Sequence, residues 1–435
     1  MRSASTGVEA KSRGLGGEGD RVTTMHRSVA ERVRPAFPAL RRTIAEKPVA
    51  YFDGPGGTQV PQSVVAAMND YLLYHNANDG WAYAASVETD EALANARALA
   101  ASFVGAASPD EILFGNNMTT LTFAVARAFG RTLRRGDEII VTDLDHHANI
   151  DPWLALERDN GAVVKRVPLL DGQPQLDVAA FERLLGPRTR LVAIGLSSNA
   201  FGTINPIAMM ADSAHRAGAL VFVDAVHAAA HTSLDVRALG ADMLAFSAYK
   251  VYGPHVGVAY VRDELLDRFD FPRVAPQTPL GPKRAESGTL NHEGIVGTGA
   301  ALEFLASAGA AGTGSLKARL TASLGSLSHD EETQFRGLID GLRALPNVTL
   351  YEPPPGVPRH PTLSFSVRGR AARDVAAHLN TNHGIFVSHG DFYAATAVRT
   401  VVPDAADGVV RAGISIYTTS DEIGRLIDAI GTLAS

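Results

Sequence analysis

Lys250 closes the run Phe246-Ser247-Ala248-Tyr249-Lys250, and Val251-Tyr252-Gly253-Pro254 follows it. A lysine at the end of an apolar strand has an amine that must be paired, neutralised or used covalently. An amine whose pKa is lowered by desolvation forms Schiff bases readily; a lysine that simply reaches solvent at a strand end is the competing explanation. Asp224 ends the apolar run Leu220-Val221-Phe222-Val223. A carboxylate there sits where α/β folds bind ligands. It could keep the pyridinium nitrogen of a cofactor protonated, or it could cap a helix. Asp145-His146-His147 follows a third apolar run, 138–143. It is open to three uses: a metal site of the Asp-His-His kind found in phosphoesterases, an aromatic face for a flat cofactor, or a polar loop. A metal site needs further strand-end carboxylates, and Asp143 is the only nearby addition. Gly115-Asn116-Asn117-Met118-Thr119-Thr120 joins a strand to a helix, so its free amides and two hydroxyls form a phosphate cradle. It lacks the Gly-Lys-Ser/Thr of a Walker loop, as does Gly54-Pro55-Gly56-Gly57-Thr58, which reads as a turn. Ser247-x-x-Lys250 also matches the Ser-x-x-Lys of penicillin-binding enzymes, but their Ser-Asp-Asn and Lys-Thr-Gly companions are absent.

These residues need a frame that brings strand ends together. Short β-branched runs alternate with helical stretches from about 46 to 300. Strands are expected at 111–115, 138–143, 163–169, 190–198, 220–226, 243–248 and 257–262. Helices are expected at 119–134, 175–185 and 206–217, the last opening on Asn205 as N-cap and Pro206 at the first helical position. Nearly all-apolar strands separated by helices predict an α/β fold, a mostly parallel sheet covered on both faces. Beyond 300 come two helical stretches (298–309 and 314–344) and short strands at 362–367, 385–388 and 409–417. A last helix opens on the capping-box pattern Thr419-Ser420-Asp421-Glu422. The expected organisation is a large lobe over 46–297 and a smaller α+β lobe over 298–435, with 25–45 packed on the smaller one. Residues 1–24 are rich in Gly, Ser, Thr and mixed charge without an apolar core; they read as a disordered extension rather than a secretory signal, with Met25 an alternative start. The loop 268–291 is long and polar, a length usually reserved for function.

Composition removes whole classes of function. The 435 residues include no cysteine. Disulfides, thiolate metal sites and a cysteine nucleophile are therefore excluded. The net charge of −6 argues against nucleic-acid binding. No apolar run reaches the roughly 18 residues of a membrane helix, and the cytoplasm is the default location.

Taken in order, Thr119, His146, Asn199, Asp224, Lys250 and Arg411 each close a strand, follow one, or open a helix. The strings DHHANIDPW (145–153), SSNAFGTINP (197–206), DAVHAAAH (224–231), SAYKVYGP (247–254) and RAESGTLN (284–291) accompany them. Over residues 48 to 430 this pattern resembles the class V aminotransferases of pyridoxal 5'-phosphate (PLP) fold type I, and within them the cysteine desulfurases and selenocysteine lyases. The resemblance implies a PLP cofactor, an amino-acid substrate and a homodimer with shared active sites. It makes Lys250 the Schiff-base lysine and catalytic base, Asp224 the partner of the pyridine nitrogen, and His146 the stacked, proton-moving imidazole. His227 stands near the phenolic oxygen, where the family has glutamine, and Asn199 is a second contact to that oxygen. Met118, Thr119 and Ser247 match phosphate ligands. Tyr249 stands where a phosphate-binding histidine is usual, and Thr289 resembles a threonine that reaches the phosphate from the second subunit. Arg411 resembles the clamp on the substrate carboxylate, with Asn78, Trp81, Tyr83, His389 and Tyr393 as further pocket candidates.

The departures carry equal weight. The place of the sulfur-accepting cysteine is occupied by Tyr393, and an arginine usual just before that loop is Ser388. The resemblance therefore implies C–S or related β-lyase chemistry without a persulfide. Epimerisation and transamination within the same family, a metal phosphoesterase, and a PLP-binding protein without turnover are the alternatives.

Overall fold

The computed structural model describes residues 28–404 and 406–434. The expected disordered extension over 1–24 and the alternative start at Met25 lie outside them. Seven strands form the central sheet, in the order Ile112–Gly115, Gly257–Val261, Met243–Ser247, Leu220–Asp224, Thr189–Gly195, Glu138–Thr142, Val163–Val167. Gly257–Val261 runs antiparallel to both its neighbours, and the five strands beyond it pair in parallel. Each expected strand is present; most stop one to three residues short where the chain turns into a loop, while Ile112–Gly115 loses Glu111 at its start.

The alternation of side chains explains why the sheet is covered twice. Val192, Ile194, Val221 and Val223 point into one core, with Phe103, Phe246 and Leu305. Leu191, Ala193 and Phe222 point into the other, with Phe129 and Trp153. Successive strand residues face opposite sides, so a run that is apolar throughout serves two cores at once. Outside the edge strand Val163–Val167, with its partly exposed Lys165 and Arg166, the faces are apolar, and functional side chains collect at the strand ends.

The helix expected at 206–217 is Ile207–Arg216, but Asn205 does not cap it. Its Nδ2 donates to the Gly195 carbonyl at 2.7 Å, which secures the end of a sheet strand. That buried carbonyl needs a partner more than an amide at the helix start does. The Thr419–Glu422 pattern does form a capping box: Thr419 Oγ1 accepts from the Glu422 amide, and the Glu422 carboxylate from the Thr419 amide.

A second sheet, Val348–Tyr351, Thr362–Val367, Val409–Gly413 and Ser388–Gly390, is antiparallel. Helices Leu316–Arg343 and Ser420–Ala434 cover it through Phe335, Leu338, Leu426 and Ile430. The segment from Val29 onward touches both halves rather than the smaller one alone. Arg34 pairs with Glu422 at 2.9 Å. Fully buried Phe37 meets the edges of Tyr252, Phe304 and Tyr417. Among the described residues no helix is long and apolar enough to cross a membrane.

The 268–291 loop is anchored by one buried acid. Glu286 accepts from the Phe114 amide at 2.7 Å and from both Arg97 terminal nitrogens at 2.9 and 3.0 Å. Removing it leaves the mostly buried Arg97 charge without a carboxylate partner, with only the Ile112 carbonyl and the Phe114 ring beside it. Glu286→Ala is expected to lower stability by about 3 kcal/mol, seen as a lower urea midpoint with unchanged slope. A midpoint equal to the parent's would show that the loop is held elsewhere.

Candidate active site

A cavity of about 1060 Å³ opens at the carboxyl edge of the central sheet. Asp224 and Lys250 both line it. Lys250 ends the short turn Ala248–Lys250 that follows strand Met243–Ser247. Its side chain is only partly exposed, and its amine donates to the Pro55 carbonyl. Burial, with a smaller push from the Arg411 charge, brings the amine down to about 7. Asp224 is buried, and its Oδ1 accepts from the Val226 amide at 2.9 Å. The helical turn beyond it is capped by His227 and has no side-chain cap, so Asp224 is not a helix cap. Burial raises its carboxyl to about 6, against the pull of Lys250.

The Asp145-His146-His147 side chains diverge. Asp145 turns inward and accepts from the Gly195 amide at 2.9 Å and from Asn149 at 2.8 Å. His147 pairs with Asp151 at 3.1 Å. His146 Nδ1 accepts from the Ala148 amide at 2.9 Å. Burial, then the Lys250 charge, lowers its imidazole to about 4. A neutral ring that accepts at Nδ1 carries its proton on Nε2. Among the described residues no group of three or more His, Asp or Glu is arranged to hold a metal ion.

On the opposite wall Arg411 is buried and held on three sides. Nε donates to Ser388 Oγ at 3.2 Å, one terminal nitrogen to the Asn199 carbonyl at 3.0 Å, and the other to Asp53 Oδ1 at 3.1 Å. Its guanidinium lies 4.1 Å above the Phe392 ring. Phe392 and Tyr393 both adopt left-handed backbone, with φ of 55° and 56°. Their carbonyls are fixed by Asn199 Nδ2 at 2.9 Å and the His147 amide at 2.7 Å. The Tyr393 ring stacks on His146, with centroids 5.5 Å apart.

The remaining expected residues divide into two groups. Ser247 Oγ accepts from the Met118 amide at 3.0 Å, at the start of helix Met118–Gly130. Thr119, Tyr249, Asn199, His227 and His389 line the same cavity. His227 Nε2 lies 3.1 Å from Thr362 Oγ1, and burial keeps its imidazole uncharged. Thr289 lies outside, in an adjoining cavity of about 300 Å³ that shares Asn116 and Thr120 with the first. Asn78, Trp81 and Tyr83 are also outside the main cavity; the Asn78 carbonyl accepts from Ser86 Oγ at 2.7 Å. Asp53, Pro55, Phe392 and His255 line or brace the site without having been singled out. Pro55 falls in what reads as a plain turn and Asp53 immediately precedes it, and only the fold shows which turn lies beside Lys250.

The class-V aminotransferase family model matches residues 50–426. The chain belongs to that family. It is 35% identical over 419 residues to a cysteine desulfurase of Klebsiella pneumoniae, covering 91% of this chain and 96% of the relative. It is 32% identical over 417 residues to one of Escherichia coli, covering 92% and 97%. Among solved structures it is similar to the apo cysteine desulfurase of Thermococcus onnurineus NA1, with a TM-score of 0.80, 29% identity, and 92% and 98% of the two chains covered. A cysteine desulfurase (S-sulfonic acid) from Escherichia coli gives 0.78, 27%, 92% and 97%. Class V aminotransferases use PLP, so this is a PLP-dependent enzyme with a cysteine desulfurase-like fold. The cavity suits that cofactor. It offers a desolvated amine, a buried carboxylate, a neutral imidazole, and a helix start flanked by hydroxyls.

The Lys250 amine is uncharged, and able to attack an aldehyde, only above its depressed value of about 7. In protein stripped of cofactor, the rate of covalent PLP capture is expected to rise with pH through about 7 and then level off. A rate still climbing toward the ordinary lysine value of about 10.4 would contradict this. Borohydride followed by peptide mapping is expected to place the label on Lys250 and on no other lysine.

Proposed function

We propose that this enzyme is a β-lyase that expels a sulfur or related leaving group from the β-carbon of an amino acid, without taking sulfur onto the protein. The observation that carries the proposal is the cavity wall formed by His389, Phe392 and Tyr393. The resemblance puts a sulfur-accepting cysteine on that loop; here it presents two aromatic rings, and the whole chain contains no thiol.

PLP, when bound, supplies an electron sink for charge developing at the substrate α-carbon. The protein's own groups do the rest. Lys250 holds the cofactor and, uncharged above about pH 7, is the base for the α-proton. Asp224 keeps the pyridine nitrogen protonated. His146 presents an Nε2 proton, while His227 and Asn199 border the phenolic oxygen. Arg411 binds the substrate α-carboxylate, exchanging its Asp53 contact for the new anion while the Phe392 ring keeps the guanidinium in plane. Tyr393 borders the substrate side chain.

The working unit is a homodimer in which Thr289 of one subunit completes the phosphate site of the other. Two observations favour this. Leu73, Tyr74 and Trp81 are large apolar side chains more than 60% exposed, which marks an interaction surface. The same segment is tied to the Thr289 loop by an Asp79–Lys283 ion pair of 2.7 Å.

Product analysis tests the reaction. A cysteine conjugate with a good leaving group is expected to give pyruvate and ammonia, and free cysteine no alanine above background. Stoichiometric alanine and sulfide from cysteine would overturn the proposal; an epimerised or transaminated product would replace it by another family reaction. Asp224→Ala is expected to retain PLP and lose turnover by about 10²-fold, whereas near-normal turnover would remove Asp224 from the chemistry. Sedimentation is expected to show a dimer, with Thr289→Ala losing PLP faster on dialysis. A monomer with full cofactor occupancy would refute the shared site.

A further inference from the structure

The cofactor-facing edge of the sheet is built from one side by a strand that runs the other way. Gly257, the first residue of Gly257–Val261, pairs with both Ser247 and Gly115. Its start therefore lies beside the ends of those two strands, next to the start of helix Met118–Gly130. The approach is close. A Cβ on Gly257 would stand 2.3 Å from the Asn117 carbonyl carbon, so only glycine lets the chain before it come down onto the N-cap.

His255 lies in that preceding turn. Its ring is exposed, lines the cavity, and stacks on Tyr249 with centroids 4.8 Å apart and planes 13° apart. Among the described residues nothing hydrogen-bonds to its nitrogens.

The charges around it make this position distinctive. A phosphate monoester brings between one and two negative charges. The groups at the helix start are neutral: backbone amides and the Ser247 and Thr119 hydroxyls. Lys250 and Arg411 are the only lysine and arginine on the cavity wall among the described residues. Lys250 donates to Pro55, and Arg411 is held by Asp53, Ser388 and Asn199. His147 is paired with Asp151, and His146 is neutral. His255 is the unengaged group at this end that can carry positive charge.

We propose that His255 is a phosphate ligand of the bound cofactor, presented by its stack on Tyr249 and set against the helix N-terminus. The inference rests on PLP being the occupant. It also accounts for Tyr249 standing where the resemblance expects an imidazole: the imidazole arrives from the neighbouring turn and uses the tyrosine ring as its platform.

The test compares PLP with pyridoxal, which lacks the phosphate, on full-length protein freed of cofactor. Affinity is read from the absorbance change on attachment to Lys250. His255→Ala is expected to weaken PLP about tenfold or more and leave pyridoxal unchanged, and His255→Arg is expected to recover most of the PLP affinity. The inference is overturned if His255→Ala binds PLP like the parent, if it loses PLP and pyridoxal equally, or if arginine restores nothing. A parent protein that captures neither aldehyde would overturn the cofactor assignment along with it, and is distinguishable from all three.

Discussion

The site depends on one arrangement: an amine and a carboxylate brought together at the same largely buried sheet edge. Burial moves Lys250 down to about 7 and Asp224 up to about 6. Their mutual attraction only partly offsets that shift. Both groups therefore change charge near neutral pH, the range in which acid–base groups are most effective. The sheet makes this possible because two apolar cores close its faces over the central strands and leave their ends as the exit for polar side chains.

The second sheet completes the site from the other side. Arg411 stands on a central strand of that sheet, flanked by Ser364 and Ser388. It reaches across to Asn199 and Asp53, while Thr362 meets His227. Behind His227 lie His231 and His360, three imidazoles with centroids within 6.2 Å of one another. Only His231 has a carboxylate beside it, Glu331 at 2.9 Å. Burial and mutual repulsion keep the other two neutral. An uncharged His227 adds no fixed cation to this wall of the cavity.

The loop carrying Phe392 and Tyr393 is where this chain parts from the desulfurases it is similar to. Two consecutive non-glycine residues in left-handed backbone cost about 1–3 kcal/mol each and persist only where the surroundings hold them. Both carbonyls are hydrogen-bonded to residues of the site, and both rings lie against site side chains. The loop is thus an aromatic wall held by the site, and its conformation is coupled to the guanidinium it supports.

Local pattern carried much of this. Apolar runs of strand length set the parallel sheet, because residue alternation and double-sided burial act within a few positions. The strand-end positions of Asp224 and Lys250 follow from the same runs, and the capping box at Thr419 is a local hydrogen-bond choice. The absence of a thiol is fixed by composition alone. What the sequence left open was every choice between distant partners. Asn205 reads as a cap, yet its amide goes to the Gly195 carbonyl. Asp53, just before the 54–58 turn, gave no signal, yet it holds Arg411, far along the chain. Asp145 reads as one of three adjacent ligands, yet it turns to Gly195 while its neighbours face elsewhere. His255 gave no sequence signal, because its place beside the helix start depends on an antiparallel strand and a glycine contact across the sheet. Periodicity reports which face a residue occupies; only the crossing of strands and the burial of unpaired donors decide whom it meets there.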